Sequence, residues 1–353
     1  MNVISKDDKQ IVKWLLIGCL IVASMLILGS ITRLTNSGLS MVTWKPITGM
    51  LPPLNAAAWD VEFTQYKTSP EYEKLNYNFS LSEFKEIFFW EYSHRLLGRI
   101  AGIVFLLPFL YFLIKKKIKS KKLLIHLLII FFMGGLQGVI GWFMVKSGLR
   151  DNPHVSHYWL AFHLITALIL ISYIYLVMLS LLFPGIGSGK LKTKTIYNLA
   201  KILLFITTIQ IVYGAFIAGL KAGKFYPTFP KMGQEWMPNI ISENFSNTGW
   251  IALIADPITI QFIHRWLAAI VLVLVIYILA KAQERFYSLH QRMALKLMLI
   301  AIIVQFVLGV FTILFSVPII LGVLHQFGAM LFLISILTVL YFFRTRNTPS
   351  LIA

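Results

Sequence analysis

The feature that most restricts the fold of this chain is a series of eight apolar stretches, each close to the length of about 20 residues that a helix needs to cross a bilayer. They cover residues 14–33, 90–114, 123–145, 157–183, 198–220, 257–280, 297–316 and 320–343. Only 13% of the 353 residues are charged, against about a quarter in soluble domains. This composition excludes a soluble enzyme, a disordered chain and a nucleic-acid-binding protein. Because a helix satisfies its own backbone hydrogen bonds in lipid, we predict an all-α integral membrane protein with eight transmembrane helices.

The distribution of basic residues predicts the orientation of these helices. Most of the 32 Lys and Arg residues lie at the N-terminus, in the loops after spans two, four and six, and after span eight. Because loops rich in Lys and Arg stay in the cytoplasm, we predict a multi-pass protein of the inner (plasma) membrane with both termini cytoplasmic. The formal net charge of +18 is therefore a signal of topology.

Two long loops remain on the outer side, at residues 34–89 and 221–256. The first contains Trp44, Trp59 and several spaced prolines. A loop of this length is usually functional or disordered, and its aromatic residues favour an ordered cap on the membrane surface over a flexible loop.

The two halves of the sequence resemble each other. Four elements recur in the same order: residues 29–38 as 214–223, Glu91 to Arg95 as Gln261 to Arg265, Gln137 to Gly141 as Gln305 to Gly309, and His163 as His325. Four helices followed by four more in the same orientation predict two four-helix bundles related by an axis along the membrane normal. We place the N-terminal bundle at residues 1–189 and the C-terminal bundle at residues 190–353.

Four histidines lie inside the even-numbered spans, near the outer end of each: His94, His163, His264 and His325. Ionisable residues are costly inside a membrane and are candidates for function. A hydrogen bond between helices explains one such histidine well, but four at repeated positions favour a pair of axial ligands to a haem iron in each bundle. Zinc needs three or four ligands, which neither half gathers. His157 competes with His163, and the repeat selects His163.

The neighbours of these histidines indicate the chemistry. Arg95 and Arg265 are candidates for pairing with haem propionates, the alternative being that they extend to the lipid headgroups. The repeat differs where Glu91 corresponds to Gln261, and Glu91 shares a helix face with His94. A carboxylate beside one haem only suggests proton chemistry in the N-terminal half and electron transfer or storage in the other. The alternative is that Glu91 stabilises a helix N-terminus.

Longer stretches carry a similarity to a known family: residues 29–41, 44–49, 52–53, 89–99, 137–149 and 261–265. They resemble haem A synthases of the alphaproteobacterial and mitochondrial type, and the similarity extends over about residues 14–343. The resemblance implies an enzyme that oxidises the C8 methyl group of haem O to a formyl group, with oxygen derived from water, and so gives haem A for cytochrome oxidase. One subgroup of the family has a cysteine pair in an outer loop, whereas Cys19 is the only cysteine here.

The resemblance also implies a role for each site residue. His264 and His325 correspond to the ligands of a permanent haem b cofactor, His94 and His163 to those of the haem O substrate, and Glu91 to the catalytic glutamate. Candidate partners are haem O synthase and an electron-transfer protein, and a homo-oligomer is left open. The alternative is a two-haem b-type electron-transfer protein, although four histidines on the outer side would not carry electrons across the bilayer.

Overall fold

The computed structural model describes residues 5–43, 48–150, 153–184, 191–283 and 287–344. Within these ranges the chain forms α-helices and short 3₁₀ turns, with no β-strand. The α-helices are α1 (Lys6–Leu34), α2 (Ala56–Lys67), α3 (Pro70–Lys74), α4 (Leu81–Ile114), α5 (Lys121–Gly148), α6 (His157–Leu182), α7 (Leu191–Gly219), α8 (Asn239–Thr248), α9 (Ala252–Ala255), α10 (Pro257–Lys281), α11 (Leu289–Leu314) and α12 (Ile319–Phe343). Eight of them, α1, α4 to α7 and α10 to α12, are long and apolar enough to cross a membrane. The prediction of eight transmembrane helices is therefore confirmed.

Four of these helices, α1, α4, α7 and α11, begin several residues earlier than the apolar pattern predicted. Helix α4 starts at Leu81 and not near residue 90, because Ser80 and Glu83 form a reciprocal capping box in front of it. Helix α7 starts at Leu191 and not near residue 198. Hydropathy marks the part of a helix that crosses the hydrocarbon core, whereas polar capping residues decide where the helix begins.

The contacts between membrane helices have the same pattern in both halves. In the first half α1 packs against α4, and α5 against α6. In the second half α7 packs against α10, and α11 against α12. The division into two repeat-related bundles stays a prediction, and its boundary at residues 189 and 190 lies outside the described residues.

Four helices, α1, α6, α7 and α12, form the junction between the halves. Their apolar side chains meet in one buried cluster made of Leu26, Leu168, Ile171, Ile211, Met330 and Leu333. The Tyr175 hydroxyl lies 2.7 Å from the Thr338 hydroxyl across this junction, and Tyr341 donates to the carbonyl of Phe183. The junction thus combines apolar packing with side-chain hydrogen bonds. The other four membrane helices, α4, α5, α10 and α11, pack around it.

The first outer loop forms the ordered cap that the sequence predicted. Helices α2 and α3 and the start of α4 share a small aromatic core in which Phe84 stacks against Phe63 and Tyr66, at ring-centre distances of 5.1 and 5.0 Å. Trp59 contacts Phe88 edge-on. Trp44, which the sequence also assigned to this cap, lies outside the described residues.

Candidate functional site

A cavity of about 1620 Å³ lies among the membrane helices and receives residues from both halves. It exceeds the usual range of about 300–1,000 Å³ for a small-molecule pocket. Seven side chains singled out by the sequence line it: Glu91, His94, Arg95, His163, His264, Arg265 and His325. His157 is not among the lining residues, because its Nε2 atom instead lies 2.9 Å from the carbonyl oxygen of Ile254. The structure therefore brings together the residues that the repeat selected.

Each of the four histidines lies against a glycine of a neighbouring helix. A Cβ atom added to the glycine would approach the histidine Cε1 atom to 3.1 Å for Gly29 and His94, 3.3 Å for Gly141 and His163, 3.1 Å for Gly214 and His264, and 2.8 Å for Gly309 and His325. The glycines obey the sequence repeat as the histidines do. The sequence analysis did not find these contacts, although the repeated glycines were the signal for them. Each ring is positioned by the backbone of the adjacent helix.

In the second half the two imidazoles face each other. The ring centres of His264 and His325 are 6.5 Å apart, with an angle of 75° between the ring planes. Two metal–nitrogen bonds of about 2.0–2.1 Å on opposite sides of one ion place axial imidazole centres roughly 6–6.5 Å apart. The amide nitrogen of Gln210 lies 3.3 Å from Nε2 of His264, and that of Gln305 lies 3.2 Å from Nδ1 of His325. The spacing of the two rings thus fits one haem iron.

The first-half pair differs from the second at one neighbouring position. The Nδ1 atoms of His94 and His163, like that of His264, are buried and have no hydrogen-bond partner among the described residues. The position that corresponds to Gln210 in the repeat is Met25, a side chain without an N–H donor. No group of three or more His, Cys, Asp or Glu side chains suited to a metal ion occurs in the described part of the chain. The first half therefore lacks a counterpart of the Gln210 amide, whereas Gln137 occupies the position that corresponds to Gln305.

Glu91 and Arg95 connect the start of α4 to the segment that follows α1. One carboxylate oxygen of Glu91 accepts hydrogen bonds from the Ser40 hydroxyl at 2.7 Å and from the backbone N–H of Met41 at 2.8 Å. The other accepts from Arg95 Nη2 at 2.6 Å. Arg95 also donates to the carbonyl of Met41 at 3.0 Å. Glu91 is only 3% exposed and lines the cavity, so it is both a loop anchor and a candidate proton acceptor.

Gln261 and Arg265 perform the same anchoring in the second half. Both donate to the carbonyl of Tyr226, at 3.2 and 2.6 Å, and Arg265 also donates to the carbonyls of Thr228 and Lys231. Tyr226 corresponds to Met41 by the offset of 185 residues that relates α7 to α1. The structure thus shows both arginines bound to backbone carbonyls of the outer loops, a role that the sequence analysis missed. Their pairing with haem propionates stays a prediction.

A second buried carboxyl group, Glu71, lines the cavity from the cap side. It is 4% exposed and accepts a hydrogen bond from the Tyr66 hydroxyl at 3.1 Å, and Tyr66 in turn accepts from the Asn76 amide at 2.8 Å. Burial raises the pKa of Glu71 to about 7; the hydrogen bond from Tyr66 and the positive charge of Lys221 oppose this rise, and the negative charge of Glu91 adds to it. The sequence does not reveal Glu71 as a site residue, because a short polar helix gives no sign that one of its carboxyl groups is buried.

Comparison with known proteins identifies the family. The model of the COX15-CtaA family, described as cytochrome oxidase assembly protein, matches residues 12–337. The chain belongs to this family. A match over nearly the whole chain includes both histidine pairs, both arginines and Glu91.

Three relatives of this COX15-CtaA protein show how close the similarity to known proteins is, and each is named heme A synthase. The protein from Flavobacterium psychrophilum is 44% identical over 333 residues, which are 93% of this chain and 96% of the relative. The protein from Nitrosospira multiformis is 43% identical over 326 residues, or 92% and 90% of the two chains. The protein from Rickettsia felis is 41% identical over 341 residues, or 94% and 97%. These relatives give no support to the alternative of an electron-transfer protein.

Proposed function

We propose that this member of the COX15-CtaA family is a haem A synthase, which oxidises the methyl group of haem O to a formyl group and so forms haem A. The observation that carries the proposal is the shared cavity, in which each half supplies a pair of histidines seated on glycines. The near-full-length similarity to proteins named heme A synthase supports the same conclusion.

The second-half pair is proposed to hold a permanent haem b. Two features favour a fixed site here, namely the 6.5 Å separation of the His264 and His325 ring centres and the contact of the Gln305 amide with Nδ1 of His325, which leaves Nε2 of that ring for a metal. A haem b held by these residues would supply a redox-active iron.

The first-half pair, His94 and His163, is proposed to bind the haem O substrate through its iron. Conversion of a methyl to a formyl group takes one oxygen atom from water and releases four protons and four electrons, so a proton acceptor is required beside the substrate. Glu91 lies on the same face of α4 as His94 and on the cavity wall. Its carboxylate oxygens are proposed to accept protons from water during the oxidation. Arg95 keeps that carboxylate in place.

The proposed location is the inner membrane, with both termini in the cytoplasm. The predicted cytoplasmic end collects basic groups near the N-terminus, where Lys119 forms an ion pair with Asp7 at 3.0 Å and Lys117 donates to Gln10 at 2.6 Å. These contacts place the start of α1 beside the loop between α4 and α5. In this orientation the cavity faces the outer side of the membrane. The proposed partners are haem O synthase and an electron acceptor, and lipid surrounds the helices.

Pigment analysis tests the proposed activity. The chain is purified after expression with and without haem O synthase, and the extracted haems are separated by chromatography. We expect haem b in both preparations, and haem O, its hydroxylated intermediate or haem A only when haem O synthase is present. Haem b alone in both preparations would contradict the assignment and favour an electron-transfer protein.

Histidine variants test the assignment of the cofactor site without an activity readout. His264→Ala and His325→Ala are each expected to lose most of the tightly bound haem b, measured as the pyridine haemochrome per protein. His157→Ala is the matched control and is expected to retain it, since His157 lies outside the cavity. Full haem b content in both cavity variants would overturn the assignment.

A further inference from the structure

The cavity continues from the first-half histidines into a cleft between α4 and α5, called here the α4–α5 cleft. Five glycines line it: Gly98, Gly102, Gly134, Gly135 and Gly138. For all but Gly98, a Cβ atom added to the glycine would meet no other atom within 4 Å. Ile103, Phe132 and Val139 line the same cavity and are 44%, 70% and 45% exposed on the outside of the helix bundle. The cleft therefore opens sideways to the lipid.

The second half has side chains where the first half has these glycines. The offsets of the repeat relate the five glycines, in order, to Ala268, Leu272, Ile302, Ile303 and Phe306. Phe229 of the second outer loop also packs edge-on against Phe306, with ring centres 6.1 Å apart. The second half thus carries side chains at the positions where the first half has glycines, and Phe229 contacts one of them.

The α4–α5 cleft is long and apolar. Aromatic side chains lie at its inner end, where Phe105 stacks against Phe131 at 6.0 Å and is tilted against Trp14 at 4.7 Å. From Gly141, beside His163, to Phe131 the distance along α5 is about 15 Å at the helical rise per residue. At the other end the cleft meets His94 and His163, whose Nδ1 atoms are buried and lack partners among the described residues. The space suits a ligand with a polar, metal-bearing head and an extended aliphatic tail.

We propose that the α4–α5 cleft binds the isoprenoid side chain of haem O and keeps it in contact with lipid while the ring lies between His94 and His163. This inference rests on the proposed function. Haem O and haem b differ chiefly in that long apolar chain, so a site for haem b needs no such cleft, and the second half has side chains in place of the five glycines. Glycines at five positions leave room for the chain without moving the helices. The cleft therefore distinguishes the substrate half from the cofactor half.

The test fills the cleft with the residues that the second half uses. Gly138→Phe and Gly102→Leu introduce the side chains of Phe306 and Leu272 on α5 and α4 separately, so each variant can carry the test if the other does not fold. Purified protein in lipid nanodiscs is titrated with haem O and, in parallel, with haem b, and binding is followed by the Soret absorbance. We expect each variant to lose at least about tenfold of the preference for haem O over haem b.

One control variant and two contrary outcomes distinguish this test from the test of the proposed function. Leu128→Trp adds bulk to the lipid-facing side of α5 outside the cavity, and it is expected to leave the preference unchanged. An unchanged preference in both glycine variants, or equal weakening of the two haems, would overturn the assignment of the cleft to the isoprenoid chain. Haem A formation by the unaltered protein tests the activity itself and does not depend on this result.

Discussion

Replacement of Gly309 by Ala tests whether glycines position the proposed haem ligands. The new Cβ atom would lie 2.8 Å from Cε1 of His325, whereas carbon atoms in contact are about 3.5–4.0 Å apart, so the ring must move by about 0.7 Å. Metal–ligand distances tolerate deviations of about 0.2 Å, and a shift of this size therefore breaks or weakens the bond to iron. At Gly141 the approach to His163 is 3.3 Å, and the required shift is only about 0.2 Å.

The assay compares haem b content and the low-spin ferric signal in purified Gly309→Ala, Gly141→Ala and Gly135→Ala proteins. We expect Gly309→Ala to lose most of the low-spin signal, and Gly141→Ala to leave the second-half haem unchanged. Gly135→Ala is the control, because no atom lies within 4 Å of its added Cβ. A Gly309→Ala protein with the haem content and spectrum of the unaltered chain would refute the argument that this glycine fixes the His325 ring.

Three further predictions concern the carboxyl groups and the cysteine. Glu91→Gln should still bind haem but form at least tenfold less haem A, a loss typical of removing a general base. The reciprocal variant Gln261→Glu should not gain activity. Normal haem A formation by Glu91→Gln would contradict a role of Glu91 in accepting protons. Because the pKa of Glu71 is raised from 4.5 to about 7, the folded state holds this proton more tightly than the unfolded state. The free energy of unfolding should therefore fall by up to about 3 kcal/mol as the pH rises between these values. Glu71→Gln should abolish this fall in thermal unfolding, and an unchanged pH profile of the variant would contradict the assignment to Glu71. Cys19→Ser should change haem A formation by less than twofold, so a large loss would reveal a role for the thiol.

The sequence predicted the fold well because the bilayer imposes a simple rule. Every backbone polar group in lipid must be satisfied within a helix, so eight apolar stretches were enough to predict eight membrane helices. The predicted starts of α1, α4, α7 and α11 were wrong by several residues, because hydropathy does not register helical turns that extend beyond the hydrocarbon core. At α4 the capping box of Ser80 and Glu83 sets the end of such an extension.

The candidate site was only partly predictable. The repeat identified His94, His163, His264 and His325, and the structure places all four around one cavity. Their seats on glycines and the anchoring of the outer loops by the two arginines depend on contacts between distant segments, which periodicity does not encode. Burial of Glu71 was hidden for the same reason, since the side chains that cover it come from other elements.

The sequence by itself determined the number of membrane helices, the internal repeat and the identity of the paired histidines, because each of these follows from the spacing of residues along the chain. The tertiary structure alone decided which backbone each imidazole touches, which carboxyl groups are buried, and that the first half is open between α4 and α5. These features arise where helices from different parts of the chain meet. At such a contact the size of a side chain on one helix determines how much space is left for an imidazole ring of the neighbouring helix or for the tail of a ligand.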